Sequence, residues 1–93
     1  MEQKITEFLN RNADWQHIDN QLVGVWELSG FTAVTKAVTA ICDLAAQQDH
    51  HPTVTFGYNT LQVATTTHDT GNVVTNKDLE LALTITKHLE MIK

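Results

Sequence analysis

Three histidines in the second half of the chain have a spacing that suits proton transfer. His50 and His51 come directly before Pro52, Tyr58 follows, and His68 comes ten residues after Tyr58. Imidazole has an unperturbed pKa of about 6.5, so it gives and takes protons near neutral pH. Two adjacent histidines, with a third one hairpin away, are able to converge on a pocket that moves protons without a metal or a nucleophile. The pattern therefore predicts a small acid/base enzyme.

These residues also have simpler interpretations. Adjacent histidines at the exit of a helix are ordinary polar loop residues when nothing else accompanies them. A metal site is disfavoured because the pair has neither a thiolate nor a His-x-x-x-His partner. Asp78, at the start of a helical pattern, is typical of a helix-capping group. Tyr58 and Trp26 are typical of packing residues.

Composition indicates a single globular domain over residues 1–93. Of these residues, 42% are hydrophobic and 18% are charged, a globular rather than a disordered profile. So short a chain buries only a modest core, and self-association is expected on grounds of stability. The formal net charge is −5. Such a surface repels phosphate backbones and anionic membranes, which argues against a nucleic-acid reader or a membrane-docking protein.

The sequence favours a cytoplasmic location. Segment 1–9 has no apolar run, so it does not resemble a signal peptide, and no stretch approaches the length of a membrane span. Cys42 is the only cysteine, so no internal disulfide is possible and a reducing compartment is compatible. Its place in an apolar helical stripe predicts a buried small hydrophobe rather than a nucleophile.

The spacing of apolar residues predicts three helices, over 3–10, 31–48 and from about 76 to 91. Ser29 is a candidate N-cap for the second helix, and Thr75 with Asp78 resembles a capping arrangement for the third. The second helix must end before Pro52, because proline disfavours helical geometry in the residue that precedes it. The two adjacent histidines are therefore expected at a helix exit.

Four stretches have the composition or the alternation of strands, at 15–18, 22–28, 53–58 and 60–67. Asp19-Asn20 suits a turn in the first pair, and Gly57 or Asn59 suits one in the second. Both faces of 22–28 carry apolar residues, so the sequence leaves open which is buried. The order α-β-β-α-β-β-α predicts an α+β fold, a four-stranded antiparallel sheet with helices packed on one face.

Together, these motifs and elements resemble the pterin-4a-carbinolamine dehydratases. The resemblance spans nearly the whole chain, and its specificity comes from the order and spacing of pieces that are weak alone. The stretches Thr66-Thr67-His68-Asp69 and 77–82 also look like the family. The individual matching residues, in chain order, are Trp15, Trp26, Leu28, Phe31, His50, His51, Pro52, Tyr58, His68 and Asp78.

The resemblance implies a hydro-lyase, 4a-hydroxytetrahydrobiopterin dehydratase. Its reaction converts a 4a-hydroxytetrahydropterin to the quinonoid dihydropterin and recycles the cofactor of the aromatic amino-acid hydroxylases. The family needs no metal and no prosthetic group, because the pterin is the substrate. Members associate as homodimers or homotetramers through strand-edge and helix contacts, and the animal member also serves as a dimerisation cofactor for a homeodomain transcription factor.

The residues make chemical sense of that reaction. The 4a-hydroxyl leaves as water only after protonation, and N5 must lose its proton, so one group donates and another accepts. His50 and His68 are the candidates for this pair, in either order, with His51 as the third catalytic residue that binds and orients the pterin. The implied substrate contacts are made by these histidines together with Pro52, Thr67, Asp69 and Thr70.

One position departs from the family pattern. Members usually carry an acidic residue four positions before the first histidine, where this chain has Ala46. Asp49, adjacent to His50, is a candidate substitute, and Asp78 is a second possible supporting acid. Two alternatives stay open. One is a weakly active or non-catalytic dimerisation or regulatory module on the same scaffold; the other is a dehydratase-like protein acting on another pterin.

Overall fold

The helices and strands occur in the predicted order, and the α+β fold class is confirmed. The computed structural model describes residues 1–92. Its elements are α1 (Glu2–Arg11), β1 (Trp15–Ile18), β2 (Gln21–Glu27), α2 (Phe31–Gln48), β3 (Thr53–Phe56), β4 (Thr60–Thr65) and α3 (Asn76–Ile92). A short 3₁₀ turn, His68–Thr70, lies between β4 and α3. No helix within residues 1–92 is both long enough and apolar enough to cross a bilayer.

The four strands form one antiparallel sheet in the order β1-β2-β4-β3. The turn between β1 and β2 is the predicted one, with Asp19 and Asn20 both at positive φ, as a two-residue hairpin requires. Thr53 at the start of β3 pairs with Ala64 near the end of β4. Segment 50–52, before β3, and segment 66–70, after β4, therefore meet at one end of the sheet.

One face of β2 points into the core, which resolves what the sequence left open. Leu22, Gly24 and Trp26 are buried, whereas Val25 on the other face is exposed. The rings of Trp15 and Trp26 pack edge to face with centroids 5.3 Å apart. A Cβ at Gly24 would lie 2.4 Å from the Trp26 ring, so only glycine leaves room for this pair.

The exit of α2 directs the first two histidines towards the sheet. Asp49 ends the helix in the left-handed conformation, with φ 50° and ψ 45°. The backbone N–H of His50 then donates to the carbonyl of Ala45 at 3.1 Å. This closure satisfies carbonyls of the last turn and turns the chain before Pro52.

The predicted capping arrangement of α3 is confirmed. The backbone N–H of Lys77 donates to the Thr75 hydroxyl at 3.3 Å, and the backbone N–H of Thr75 donates to the Asp78 carboxylate at 2.9 Å. The two bonds satisfy donors at the helix start reciprocally. They also fix the direction in which Asp78 enters the protein interior.

Two predictions for α2 are wrong. The N-cap is Gly30 rather than Ser29, and no side chain caps this helix. Cys42 is exposed rather than buried. The buried stripe of α2 runs through Val34, Ala37, Ile41 and Ala45, and Cys42 lies beyond its edge because it is one helical step past Ile41.

Candidate active site

The three predicted histidines line one cleft at the end of the sheet, with a volume of about 150 Å³. His50 and His51 enter it from the exit of α2, and His68 enters from the 3₁₀ turn after β4. We call it the histidine cleft. Its other lining residues are Asp49, Thr66, Thr67, Asp69 and Lys77.

A buried carboxylate holds the inner histidine of this cleft. Asp78 is 0% exposed and His50 is 9% exposed, and Nε2 of His50 lies 2.5 Å from Oδ1 of Asp78. The hydroxyl of Thr65 donates to Oδ1 at 2.6 Å, and the hydroxyl of Thr67 donates to Oδ2 at 2.7 Å. With the backbone N–H of Thr75, the carboxylate accepts four hydrogen bonds from three separate segments.

These bonds decide the charge of the carboxylate. Burial alone would raise the pKa of Asp78, because a low-dielectric interior disfavours the charged form. Hydrogen bonds from Thr65, His50, the Thr75 backbone and Thr67 outweigh burial and hold the pKa of Asp78 below its ordinary value. The first turn of α3 also places the group at the positive end of the helix dipole. Asp78 is therefore ionised at neutral pH.

The orientation of His50 follows from its carboxylate partner. An ionised carboxylate only accepts hydrogen bonds, so Nε2 of His50 carries a proton and donates it to Asp78. Its Nδ1 makes no hydrogen bond within residues 1–92, and in that range no buried side-chain nitrogen or oxygen lacks a partner. Nδ1 is therefore accessible to solvent, and His50 lines the histidine cleft.

His68, the histidine of the cleft that comes after β4, makes its hydrogen bond through the other ring nitrogen, Nδ1. His68 is exposed, and its Nδ1 lies 2.7 Å from the side-chain oxygen of Asn72. Since that oxygen only accepts, Nδ1 is the protonated nitrogen and Nε2 keeps a free lone pair. Asn72 adopts positive φ, 62°, in the turn that follows the 3₁₀ segment. The cleft thus holds one imidazole tied to a buried charge and one tied to a neutral amide.

The remaining predicted site residues divide into two groups. Asp49 and Asp69 line the histidine cleft and are exposed. Pro52 instead lines a neighbouring apolar pocket, and the Thr70 hydroxyl donates to the Thr67 carbonyl at 3.2 Å. Asp78 caps α3, as the simpler interpretation expected, and it also holds a cleft histidine. A capping role and a supporting role are therefore combined in one carboxylate.

The two aromatic residues interpreted as packing groups differ in the structure. Trp26 is 3% exposed and packs in the core, as expected. Tyr58 is 73% exposed and is not among the residues that line the histidine cleft. Its hydroxyl instead lies near Gly30, at the start of α2, where a Cβ on that glycine would be 3.7 Å from it.

Sequence reasoning assigned no role to Thr65 or Lys77. Thr65 lies on the buried face of β4, where a polar residue needs a hydrogen-bond partner. Lys77 lies in the first turn of α3, where the helix dipole disfavours a cation. A lysine at such a position is a local conflict, which is a usable signal of function.

A larger groove, of about 490 Å³, lies between α2 and α3. Among the described residues, its side chains do not form a hydrogen-bonded histidine–carboxylate pair like that of the histidine cleft. That groove is lined by Lys36, Asp43 and His88 among threonine, glutamine and aliphatic side chains. Its histidine makes no hydrogen bond to a carboxylate within residues 1–92. The candidate active site is therefore the smaller histidine cleft.

Comparisons with known sequences indicate one family. Residues 1–88 match the family model described as Pterin 4 alpha carbinolamine dehydratase. Relatives from Chloroflexus aurantiacus and Chloroflexus aggregans are 38% and 39% identical to this chain over 84 and 85 residues, which is 90% of this chain and 89% of each relative. Both carry pterin-4-alpha-carbinolamine dehydratase as a provisional name.

Solved structures show the same architecture. A protein from Brucella melitensis, described as a transcriptional coactivator/pterin dehydratase, superimposes with a TM-score of 0.85 at 25% identity over 94% of both chains. A pterin dehydratase-like protein, described as a RuBisCO assembly factor in the alpha-carboxysome, has a TM-score of 0.62 at 14% identity. It covers 76% of this chain and 81% of its own, and it shows likeness of fold alone.

Proposed function

Because this chain belongs to the pterin 4 alpha carbinolamine dehydratase family, we propose that it dehydrates a 4a-hydroxytetrahydropterin to the quinonoid dihydropterin. The family activity is that of a hydro-lyase. The observation that carries the proposal is the pair formed by His50 and the buried, ionised Asp78, in a cleft that His68 also lines.

The reaction needs one proton to be donated and one to be removed. Protonation of the 4a-hydroxyl allows the C4a–O bond to break and water to leave, while the N5 lone pair forms the C4a=N5 double bond. Loss of the N5 proton then gives the neutral product. Since one proton enters and one leaves, the enzyme needs two groups that exchange protons near neutral pH.

We assign the acid to His50 and the base to His68. The Asp78 carboxylate against Nε2 of His50 compensates the positive charge of an imidazolium, so Nδ1 is suited to deliver a proton into the cleft. Nε2 of His68 keeps its lone pair because Nδ1 donates to Asn72, so it is suited to accept the N5 proton.

His51 orients the ring in this proposal. It lines the histidine cleft beside His50, and its side chain makes no hydrogen bond within residues 1–92 that would withdraw it from substrate. Lys77 and Asp69 lie on the same cleft and offer one cation and one carboxylate to the polar amide edge of a pterin. The substrate contacts predicted for Pro52, Thr67 and Thr70 stay predictions.

Removal of either proton-exchanging imidazole tests the proposal. We expect His50→Ala and His68→Ala each to lower the turnover of chemically generated 4a-hydroxytetrahydropterin by about a hundred- to ten-thousand-fold. His88→Ala, which removes an imidazole outside the cleft, is the matched control and should keep wild-type turnover. A wild-type protein that fails to accelerate dehydration over the uncatalysed rate would refute the proposal.

A second candidate function is a weakly active or non-catalytic regulatory module on the same scaffold. The observation that favours it concerns position 46, in the last turn of α2. Members of the family usually carry an acidic residue there, whereas this chain has an exposed alanine, Ala46. If catalysis is retained, His50→Ala should lower turnover strongly, whereas Ala46→Glu should leave turnover near that of the wild type. If loss of the acid has made the chain such a module, turnover should be low, His50→Ala should not change it, and Ala46→Glu should raise it.

Other features of the proposal rest on the resemblance and on composition. They are recycling of the tetrahydropterin cofactor of aromatic amino-acid hydroxylases, action without a metal or a prosthetic group, assembly as a homodimer or homotetramer, and a cytoplasmic location. A pterin other than tetrahydrobiopterin is the remaining alternative for the substrate. Light scattering of the purified protein would measure the subunit number, and a panel of pterins would identify the substrate.

A further inference from the structure

Thr67 connects the two histidines of the proposed acid/base pair. It precedes His68 in the chain, lies two positions past the end of β4, and is 4% exposed. Its side chain bonds to the carboxylate that holds His50, and its backbone bonds within the loop that carries His68. The proposed mechanism gives Thr67 no step of its own.

The hydroxyl of Thr67 has only one possible direction. It lies 2.7 Å from Oδ2 of Asp78 and 2.7 Å from the hydroxyl of Thr75. Because an ionised carboxylate only accepts, Thr67 donates its single hydroxyl proton to Asp78 and accepts from Thr75. The Thr75 hydroxyl accepts in turn from the backbone N–H of Lys77 at 3.3 Å. These bonds therefore run from the first turn of α3, through two hydroxyls, to the carboxylate that holds His50.

The backbone of Thr67 closes the loop that carries His68. Its N–H donates to the carbonyl of Val73 at 3.0 Å, and the two residues pair as an isolated bridge. Its carbonyl accepts from the backbone N–H of Asn72 at 3.1 Å and from the Thr70 hydroxyl at 3.2 Å. The loop closed in this way includes Asn72, whose side chain bonds to Nδ1 of His68.

We propose that Thr67 is a positioning residue for the acid/base pair. Its hydroxyl holds Asp78, and through that carboxylate His50, while its backbone holds the loop of His68. One buried residue thus fixes the separation of the two imidazoles. The inference rests on the proposed function and adds to it a residue that acts through others. Both donors of Thr67 are engaged within the protein, so neither is free for the pterin.

Loss of the hydroxyl alone should act on His50. Thr67→Val keeps the shape of the side chain, but the Asp78 carboxylate then loses one of its four donors. A carboxylate with fewer bonds holds the imidazole less firmly. We expect kcat to fall about ten- to a hundredfold while KM stays within about twofold, because displacing a catalytic group by about 1 Å costs up to about a hundredfold.

Conservative and matched variants separate positioning from stability. Thr67→Ser keeps the hydroxyl and should restore kcat to near the wild-type value. Thr86→Val is the matched control, because this buried hydroxyl also makes two bonds, accepting from Nε1 of Trp15 at 2.7 Å and donating to the Ala82 carbonyl at 2.8 Å. It should lower the denaturation midpoint, as Thr67→Val does, but leave kcat unchanged. Thr67→Ala removes the same bonds and replaces the valine variant if that variant does not fold.

Proton NMR of the whole folded protein measures the positioning without turnover. The Nε2 proton of His50 lies in a short bond to a carboxylate, so its resonance should lie downfield of the amide protons. Its absence in His50→Ala assigns it. Thr67→Val should shift or broaden this resonance, whereas Thr67→Ser and Thr86→Val should keep its position. This measurement therefore tests the inference separately from the dehydratase activity.

Three results would overturn the inference. Unchanged kcat and an unchanged His50 resonance in Thr67→Val would show that the hydroxyl positions nothing. A higher KM with unchanged kcat would assign Thr67 to the substrate instead. Equal loss of kcat in Thr86→Val would reduce the effect to stability. An inactive wild type whose His50 resonance still depends on the Thr67 hydroxyl would refute the proposed function and still support the positioning of His50.

Discussion

Asp78 performs two tasks with one carboxylate. It accepts the backbone N–H of Thr75 at the start of α3 and holds Nε2 of His50 in the interior. Two threonine hydroxyls complete its acceptor sites. Because the group is buried and its bonds come from three segments, its loss should affect stability and chemistry at once.

We expect Asp78→Asn to lower both turnover and stability. The amide keeps the size of the side chain, but its NH₂ group faces donors, so at least one buried donor is left unsatisfied at a cost of about 1–3 kcal/mol. The amide also removes the charge that compensates a protonated His50. Urea unfolding measures the first effect and dehydration kinetics measure the second.

Asp43→Asn is the matched control for that substitution. Asp43 is exposed on α2, and neutralising it should change unfolding free energy by less than about 0.5 kcal/mol. Wild-type stability and turnover in Asp78→Asn would contradict both roles assigned to the buried carboxylate.

The lowered pKa of Asp78 predicts an acid-labile fold. A carboxyl whose pKa is lower in the folded than in the unfolded state adds stability above its unfolded pKa, and that stability is lost as pH falls through the folded pKa. The unfolding free energy of the wild type should therefore decline as pH is lowered below about 4. Asp78→Asn should lack this part of the decline, which urea titrations at a series of pH values would measure. Parallel pH profiles for the two proteins would contradict the linkage.

At the scale of elements, the first turn of α3 contains a residue that lowers the stability of the helix but lines the candidate active site. Lys77 is a cation at the positive end of a helix, and it lines the histidine cleft. Lys77→Glu should raise the unfolding free energy by about 0.3–1 kcal/mol through the helix dipole. The same change should lower kcat/KM, because it replaces the cation of the cleft by a third carboxylate.

Lys87→Glu on the same helix is the control, since it makes the same change of net charge away from the cleft. It should not raise stability, because it lies past the first turns of α3. Equal kcat/KM for the wild type and Lys77→Glu would remove this lysine from the site.

The two tryptophans that pack on β2 leave no room for a side chain at Gly24. Gly24→Ala would place a Cβ 2.4 Å from the Trp26 ring, so the ring or the strand must shift. We expect a loss of about 1–3 kcal/mol in unfolding free energy, as is typical of overpacked cores. Gly30→Ser is the control, because its added Cβ would meet nothing nearer than 3.7 Å and serine is a preferred N-cap residue. Equal denaturation midpoints for the two variants would contradict this account of the packing.

At the scale of the whole molecule, periodicity in the sequence was sufficient for element order and fold class. Strand and helix patterns reflect which side chains face the core, and the core has one centre in so small a fold. The spacing of the histidines likewise predicted the family and the hydro-lyase class, which the family match and the names of the relatives confirm.

Features that depend on register or on the edge of a buried face were not predictable in the same way. The contact of Thr65 with Asp78 requires the pairing of β4 against β2 and the docking of α3, which no local pattern encodes. Cys42 was predicted to be buried because α2 is apolar over a wide arc, whereas only the narrower stripe through Val34, Ala37, Ile41 and Ala45 is buried. The choice of the buried face of β2 depends on the packing of the two tryptophans over Gly24, which no local pattern encodes.

Because several segments hold Asp78 in place, enzymatic activity also reports whether folding is complete. Its four donors come from the exit of α2, from β4 and the residue two positions beyond its end, and from the cap of α3. A molecule in which α3 has not docked therefore lacks an oriented His50, whatever the state of its sheet. Recovery of activity during refolding should then coincide with protection of the α3 amides against hydrogen exchange, and a sheet formed without that helix should be inert.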